Sequence, residues 1–582
     1  MAFLRNFLAS CLGALVAMVL VVVIGSIAVS IFTSEKEVPI EDNSVLHLKL
    51  TSPISEMEVD NPILDLFPGA GEQGVGLLQL KLAIAHAKND GKIKGIYLDI
   101  SSLQAGISSV EEIRESILDF KESGKWVVAY SDMYSEGGYY LASAADKVYL
   151  NPEGELELNG LAIDVTFFKK MLDKLEIKPE IFRVGEFKSA VEPFLRDNMS
   201  DANKLQLNSL INSVYGQMLT KISESRKIPK DKLKEISDKM LVRDPHQAMT
   251  YKLVDSLFYE DQLYGELRSR LGLTKDKSIS FVKYSNYKKS FSTYKDSKNE
   301  IAVIVADGTI LPGESEKGVV GGTTICSEIR KARKNEHVKA IVLRVNSPGG
   351  AFQASDQMWR EVSLAAKEKT VIASMSDYAA SGGYYLSMAC DTIVAQPTTI
   401  TGSIGIFSVL FDLSGFLGNK LGITSEEVKT GEIGDMVTVT RPLTEVEQNI
   451  WQKKTDDIYE TFTRKASKGR KMSQDDIKKI ASGRVWTGEQ AKANGLVDIL
   501  GGFNDAVRIA AKAARLGDDY KLKYYPVQKT FLETLVGDVE QNTRASILQK
   551  ELGEYYPWFQ QWQRVKRYQG VQARLPWELK MQ

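Results

Sequence analysis

Ser403 falls in Thr401-Gly402-Ser403-Ile404-Gly405-Ile406, a hydroxyl set between glycines, and this is the stretch of the chain best suited to nucleophilic chemistry. Gly402 and Gly405 carry no Cβ, so the backbone can turn sharply and a substrate main chain can lie close to the hydroxyl. Upstream, Asn346-Ser347-Pro348-Gly349-Gly350 follows the apolar run Ile341-Val342-Leu343-Arg344-Val345, which has the pattern of a buried strand. Its paired glycines free backbone N–H groups to face an oxyanion. Strand, glycine donor loop, then a serine on a second glycine turn is an acyl-transfer layout. A Gly-Ser-x-Gly stretch alone is more often a tight turn than a site, so the chemistry rests on what accompanies it.

A serine nucleophile needs a proton acceptor, and the chain holds four histidines, His47, His86, His246 and His337. None has a glycine-rich or otherwise distinctive setting, and His86 and His337 fall in charge-rich helical stretches where solvation is expected. A Ser-His-Asp triad is disfavoured. The alternative is a lysine whose pKa burial lowers from ~10.4, so that its neutral amine accepts the serine proton. Gly185-Glu186-Phe187-Lys188-Ser189-Ala190-Val191-Glu192-Pro193-Phe194 offers one, with Phe187, Val191 and Phe194 near Lys188 to exclude water. The competing reading is a surface ion pair of Lys188 with Glu192. Pro193 disfavours helical geometry at Glu192, and lysine before glutamate is the weaker i,i+4 orientation, so that reading loses ground.

The elements that must position these residues come in two copies. Gly137-Gly138-Tyr139-Tyr140-Leu141 matches Gly382-Gly383-Tyr384-Tyr385-Leu386, an offset of 245 (137 to 382), and the same offset pairs Asp146 with Asp391 and Pro152 with Pro397. It also pairs the strand pattern Gly95 to Ile100 with Ala340 to Val345; further on, Leu253-Val254-Asp255 matches Leu496-Val497-Asp498. The copies run over about 45–290 and 299–527. In each, apolar strands such as Trp126 to Tyr130 and Thr370 to Ser374 alternate with helical stretches such as Val110 to Glu122 and Gln357 to Lys367, an α/β pattern with covered sheets. The connection between copies falls in the polar stretch from Ser292 to Asn299. Residues 528–582 match neither copy; they carry Trp558, Phe559, Trp562 and Trp577 and are expected to form a helical tail that packs on the body or seats a neighbouring subunit.

Composition bounds the function. The 582 residues are 43% hydrophobic and 26% charged, with 74 basic against 75 acidic groups, so there is no electrostatic case for nucleic acid as partner. Cys11, Cys326 and Cys390 have no metal-ligand spacing and leave at most one internal pair, which excludes a zinc or disulfide framework. From Asn6 to Ser34 there is no charge, and the run Leu12 to Phe32 reaches the ~20 apolar residues that span a bilayer. Small residues at Ala28-Val29-Ser30 would suit a cleaved signal peptide, but the run exceeds the usual ~7 to 15 residue core of one, so residues 1–36 are expected to be an uncleaved anchor. Arg5 before it places the N-terminus in the cytoplasm and the body on the periplasmic side of the inner membrane.

Taken together, the anchor, Gly185 to Phe194, Asn346 to Gly350, Ser381 to Leu386, Thr401 to Ile406, and Gly483-Arg484-Val485-Trp486-Thr487-Gly488 with Gly495 to Asp498 resemble signal peptide peptidase A (protease IV) in its long two-repeat form. The resemblance covers essentially the whole chain. It implies two tandem Clp/crotonase-like β-β-α spiral repeats and a membrane-anchored serine protease with a Ser/Lys dyad, Ser403 the nucleophile and Lys188 the general base. It further implies an oxyanion hole in the glycine loop, read here as Gly349 N–H with Ile404 N–H, cleavage of apolar peptides such as signal peptides left in the membrane, a homo-oligomer, and no cofactor or metal. For the hydroxyl that orients the lysine, Thr430 and Ser425 are the candidates. Two other classes are carried beside it: a crotonase-like acyl-CoA enzyme and a non-catalytic membrane scaffold.

The copies differ where chemistry needs them to. Ser403 falls opposite Leu158 and the glycine loop opposite Ser101 to Ala105, while Lys188 falls opposite Gly434 once a one-residue gap is allowed. A working site must therefore join two copies, and the short connection favours the covalently linked one as donor of the lysine.

Overall fold

The computed structural model describes residues 39–58, 74–101, 103–291, 296–526 and 570–574, with scattered positions between 5 and 20. Most of the expected anchor and tail, and part of the connection from Ser292, lie outside the described residues. Among the described residues no helix is long and apolar enough to cross a membrane.

Each copy is built on a parallel sheet. In the first the order is Ser256–Leu257, Lys147–Leu156, Trp126–Tyr134, Ile93–Asp99, Ser44–Lys49, Phe281–Lys283, with every neighbouring pair parallel. In the second it is Val485–Thr487, Ile400–Gly402, Thr370–Ala380, Val338–Ser347, Glu300–Asp307, Lys521–Tyr525; the join of Ile400–Gly402 to Val485–Thr487 is antiparallel and the others are parallel. The central strands read as nearly continuous Val, Ile and Leu because both faces are covered. Helices Ile107–Lys121 and Phe352–Ala365, expected from Val110 and Gln357 onward, cover them.

In the second copy a long strand is followed by a short strand in another sheet and then a helix: Val338–Ser347, Gly349–Ala351, Phe352–Ala365. These short strands belong to a third sheet, ordered Val319–Gly321, Thr309–Leu311, Gly349–Ala351, Gly570–Arg574, Ile406–Asp412, Lys178–Val184. Its last strand comes from the first copy and pairs antiparallel with Ile406–Asp412 of the second. Within 528–582, expected to be helical, the described stretch Gly570–Arg574 is instead a strand. Ala573 is buried in the second copy's core and Val571 packs against it, so alternate side chains point inward while the backbone bonds to two neighbours.

The copies are also locked by buried polar groups. Asp377 accepts from the Ser108 and Ser109 N–H groups at 2.8 and 3.0 Å, capping the first-copy helix Ile107–Lys121 whose own N-cap, Gly106, has no side chain to do so. Fully buried Arg344 pairs with first-copy Glu56 and Glu112, both at 2.7 Å. Burial alone would raise Glu112, but Arg344 and Lys81 hold it at about 2. Breaking such a group leaves a buried charge unpaired, which typically costs about 3 to 5 kcal/mol.

Candidate active site

The pairing register carries Lys188 to Ser403. Val184 lies opposite Ile406, so the chain leaving Val184 runs beside the turn that precedes Ile406. A loop of the second copy ties the two together. Phe187 N–H donates to Ser482 O at 2.9 Å, Ser403 N–H to Arg484 O at 2.8 Å and Gly483 N–H to Ile404 O at 2.8 Å. Gly483 has φ +79°, and a Cβ there would come within 2.6 Å of the Lys188 Cβ, so only glycine lets the lysine backbone approach this closely.

Lys188 Nζ lies 3.0 Å from Ser403 Oγ, 2.9 Å from Ser381 Oγ and 3.2 Å from the Ser403 carbonyl oxygen. Both Lys188 and Ser403 are 1% exposed. The Phe407 ring lies 5.9 Å from the amine, within an apolar cluster that includes Ala190, Val191 and Val409. Among the described residues no carboxylate pairs with Lys188, and burial lowers its pKa to about 7. The expected competitor, Glu192, turns away: it is buried and accepts from Ser200 and Asn203 at the start of the helix Asp201–Arg226. Contrary to the reading of Pro193, Glu192 is helical, with φ −59° and ψ −38°. It opens the short helix Glu192–Leu195, where proline sits in the first turn and its missing N–H costs no hydrogen bond.

Ser403 is held at φ +51° and Ser381 at φ +54°, backbone regions a serine adopts only under constraint. Ile404 is buried, and its N–H has no acceptor among the described residues. Gly349 N–H donates to Ser347 Oγ at 3.2 Å. Against Gly349 lies the tail strand: a Cβ at Gly349 would come within 2.0 Å of the Ala573 carbonyl oxygen. Gly570–Arg574 thus runs antiparallel between Gly349–Ala351 on one side and Phe407 to Val409 on the other. Beside it opens a groove of about 930 Å³ lined by Phe352, Val446, Ile450, Trp451, Ile458 and Val571, among others.

Three participants escaped the sequence reading. Ser381, and not Thr430 or Ser425, supplies a hydroxyl to the lysine; the latter two are exposed. Its signal was one residue upstream of the repeated Gly382-Gly383 motif, where the first copy has Glu136. The bridging role of Ser482 to Arg484 and the placement of the tail strand are long-range backbone contacts with no local pattern. His47 instead contacts Asp99 at 3.3 Å and His86 Tyr287 at 2.9 Å, and Cys326 and Cys390 are both free.

A buried serine of the second α/β repeat set 3.0 Å from a buried lysine of the first is an arrangement suited to a serine hydrolase. The chain belongs to peptidase family S49, whose model matches residues 119–274 and 363–517, and it is a serine protease. Similar proteins include "Protease 4" of Salmonella typhi, 39% identical over 81% of this chain and 77% of that one. "Protease 4" of Haemophilus influenzae is 36% identical over 81% and 80%, and the "Serine protease SPPA, chloroplastic" of Arabidopsis thaliana 34% identical over 79% and 69%.

Proposed function

We propose that the chain is a membrane-anchored endopeptidase in which Ser403 is the nucleophile and Lys188 the general base, and that it degrades apolar peptides such as cleaved signal peptides. The observation that carries this reading is the 3.0 Å approach of Nζ to Oγ in a pocket without a carboxylate partner for the amine among the described residues. A neutral amine has one lone pair and two N–H groups, which matches its three neighbours. The lone pair accepts the Ser403 Oγ–H, and the N–H groups donate to Ser381 Oγ and the Ser403 carbonyl oxygen.

In the reaction Oγ attacks the scissile carbonyl carbon as its proton passes to Nζ. The resulting oxyanion is met by the Ile404 N–H and by the Gly349 N–H, which gives up Ser347 Oγ. Collapse breaks the C–N bond and the ammonium returns the proton to the leaving amine. A water deprotonated by the same Nζ then cleaves the acyl ester. The substrate lies extended where Gly570–Arg574 lies, bonded on both sides by backbone, with apolar side chains in the adjacent groove. The long strand, short strand and helix of the second copy are read as turns of the Clp/crotonase β-β-α spiral; a crotonase-like acyl-CoA reaction would leave Ser403 and Lys188 without a task. The body faces the periplasm, anchored through the run from Leu12 to Phe32. This reading keeps the tandem division at about 45–290 and 299–527, with one site per chain.

The test is covalent capture of Ser403 by a fluorophosphonate probe, compared between wild type and Lys188→Ala. Labelling that is fast in wild type, lost in Ser403→Ala and strongly slowed in Lys188→Ala is expected. Equal labelling in wild type and Lys188→Ala would remove the lysine from the mechanism.

A further inference from the structure

Lys188 is the central residue of an inverse γ-turn. Its φ of −76° and ψ of 72° fall in that well, and the Ser189 N–H closes the turn on Phe187 O at 2.8 Å. Such turns are common where strands end, and this one follows Lys178–Val184. The turn aims the lysine side chain, so whatever holds the groups on either side of Lys188 also sets where Nζ lies.

Gln206 holds both sides. It stands on the first-copy helix Asp201–Arg226 and is buried. Its Nε2 donates to Phe187 O at 3.0 Å and to Ser189 Oγ at 2.9 Å, with Asn203 Oδ1 a third neighbour at 3.0 Å. Its Oε1 accepts from the Val485 N–H of the second copy at 3.4 Å. Three oxygens around Nε2 and an N–H facing Oε1 fix which way round the amide lies. Asn203 in turn donates to the buried Glu192 carboxylate at 3.0 Å, which anchors the amide from behind.

The far end of this link reaches the nucleophile. The N–H that meets Gln206 belongs to the Arg484–Val485 peptide group, whose carbonyl accepts from the Ser403 N–H at 2.8 Å. Two planar amides, the Gln206 side chain and the Arg484–Val485 backbone, thus span from the carbonyl before Lys188 to the N–H of Ser403. Each is rigid, so the path fixes the lysine's turn relative to the serine's.

The repeat supplies a comparison. The helices Asp201–Arg226 and Glu445–Arg470 both have 26 residues, both follow a hydroxyl N-cap, Ser200 and Thr444, and both end before a left-handed lysine, Lys227 and Lys471. Aligned on their caps, they place Ile450, an exposed groove residue, where the first copy has Gln206. The copy that carries the lysine has a buried amide at this position, and the copy with Gly434 in the lysine's place has an exposed apolar side chain.

We propose that Gln206 is a positioning residue for the Ser403 and Lys188 pair: by bonding Phe187 O, Ser189 Oγ and the Val485 N–H together, it fixes the turn that aims Nζ at Oγ. The inference rests on the reading of Lys188 as the base. Without the amide the Phe187 N–H still bonds Ser482 O, so the lysine stays in place but its approach to Oγ loosens. A misplacement of about 1 Å can cost on the order of a hundredfold in rate. Because Gln206 acts through the lysine's turn, the loss falls on kcat and not on KM.

The test follows cleavage of an apolar peptide and fluorophosphonate labelling of Ser403 in the full chain. Gln206→Met keeps the side chain's length without donor or acceptor; Gln206→Glu keeps the acceptor toward Val485 but as a carboxylate cannot donate to Phe187. Both should lower kcat at least about tenfold, with KM within about twofold of wild type. Placed in Lys188→Ala, Gln206→Met should change the labelling rate by less than about twofold, because no amine is left to position. Wild-type kcat in either variant overturns the proposal, as does a loss confined to KM. So does an equal further loss in the Lys188→Ala background, which would make Gln206 part of the scaffold. Failure of the lysine as base shows separately, as wild-type labelling by Lys188→Ala itself.

Discussion

Val184 of the first repeat pairs with Ile406 of the second, and that one antiparallel register brings an amine four residues beyond one strand to a hydroxyl three residues before the other. A shift of one residue would turn the flanking side chains to the opposite face and separate Lys188 from Ser403. Their counterparts in the repeat, Leu158 and Gly434, carry neither hydroxyl nor amine.

Peptide cleavage should rise with pH through an apparent value near the lysine's, about 7, and level off above it, because the proposed base would work as the neutral amine. A pH profile of kcat/KM between 6 and 9 reads this directly. A flat profile would mean that the group titrating in the free enzyme is not Lys188.

Lys188→Met should abolish cleavage to below about a hundredth of wild type while stabilising the protein. The sign follows from the titration. The folded value is about 7 and the unfolded value ~10.4, so between them the unfolded chain holds the extra proton and stability rises with pH. Below about pH 7 the burial penalty is fully present, on the order of a few kcal/mol. Thermal midpoints at pH 6 should therefore favour the variant, and the gap should narrow as pH rises toward 10. A variant less stable than wild type at pH 6 would show that the amine is better satisfied than its neighbours imply.

Ser381→Gly separates strain from function. It relieves a positive φ, worth about 1 to 3 kcal/mol, and forfeits a hydrogen bond worth about 1 kcal/mol, so stability should hold or rise. Activity should fall at least about tenfold, because the amine loses a positioning acceptor. The acid limb of the pH profile should move down, since an acceptor that favours the ammonium is gone. Unchanged kcat and profile would reduce Ser381 to a turn residue.

Truncation of the chain after Tyr568 removes Gly570–Arg574 from between Gly349–Ala351 and Phe407 to Val409. Cleavage of short apolar peptides should increase, through a lower KM, because in the proposed binding mode the strand and the substrate use the same backbone groups. A loss of activity with a lowered thermal midpoint would make the strand part of the scaffold, in line with the burial of Ala573.

Co-assembly of Ser403→Ala chains with Lys188→Ala chains should give inactive mixtures, since Nζ and Oγ meet within one chain and every chain then carries one broken half. Recovered cleavage in the mixture would place the reaction between chains.

The local chemistry was legible in the residues themselves. A serine between glycines, a lysine set among Phe187, Val191 and Phe194, and a histidine-poor chain narrow the reaction before any coordinates, because nucleophile and base are properties of side-chain type. The duplication was legible too, since Gly137 to Leu141 and Gly382 to Leu386 repeat nearly letter for letter, and with it the need for a site built across copies. Tertiary structure alone decided how the copies meet. The register of Val184 on Ile406, the Ser482 to Arg484 bridge, the Ser381 hydroxyl, the helical Glu192 and the strand Gly570–Arg574 depend on backbone groups far apart in the chain. Backbone N–H and C=O groups are the same for nearly every residue, so a sequence records which side chains can react but not which strands will find each other.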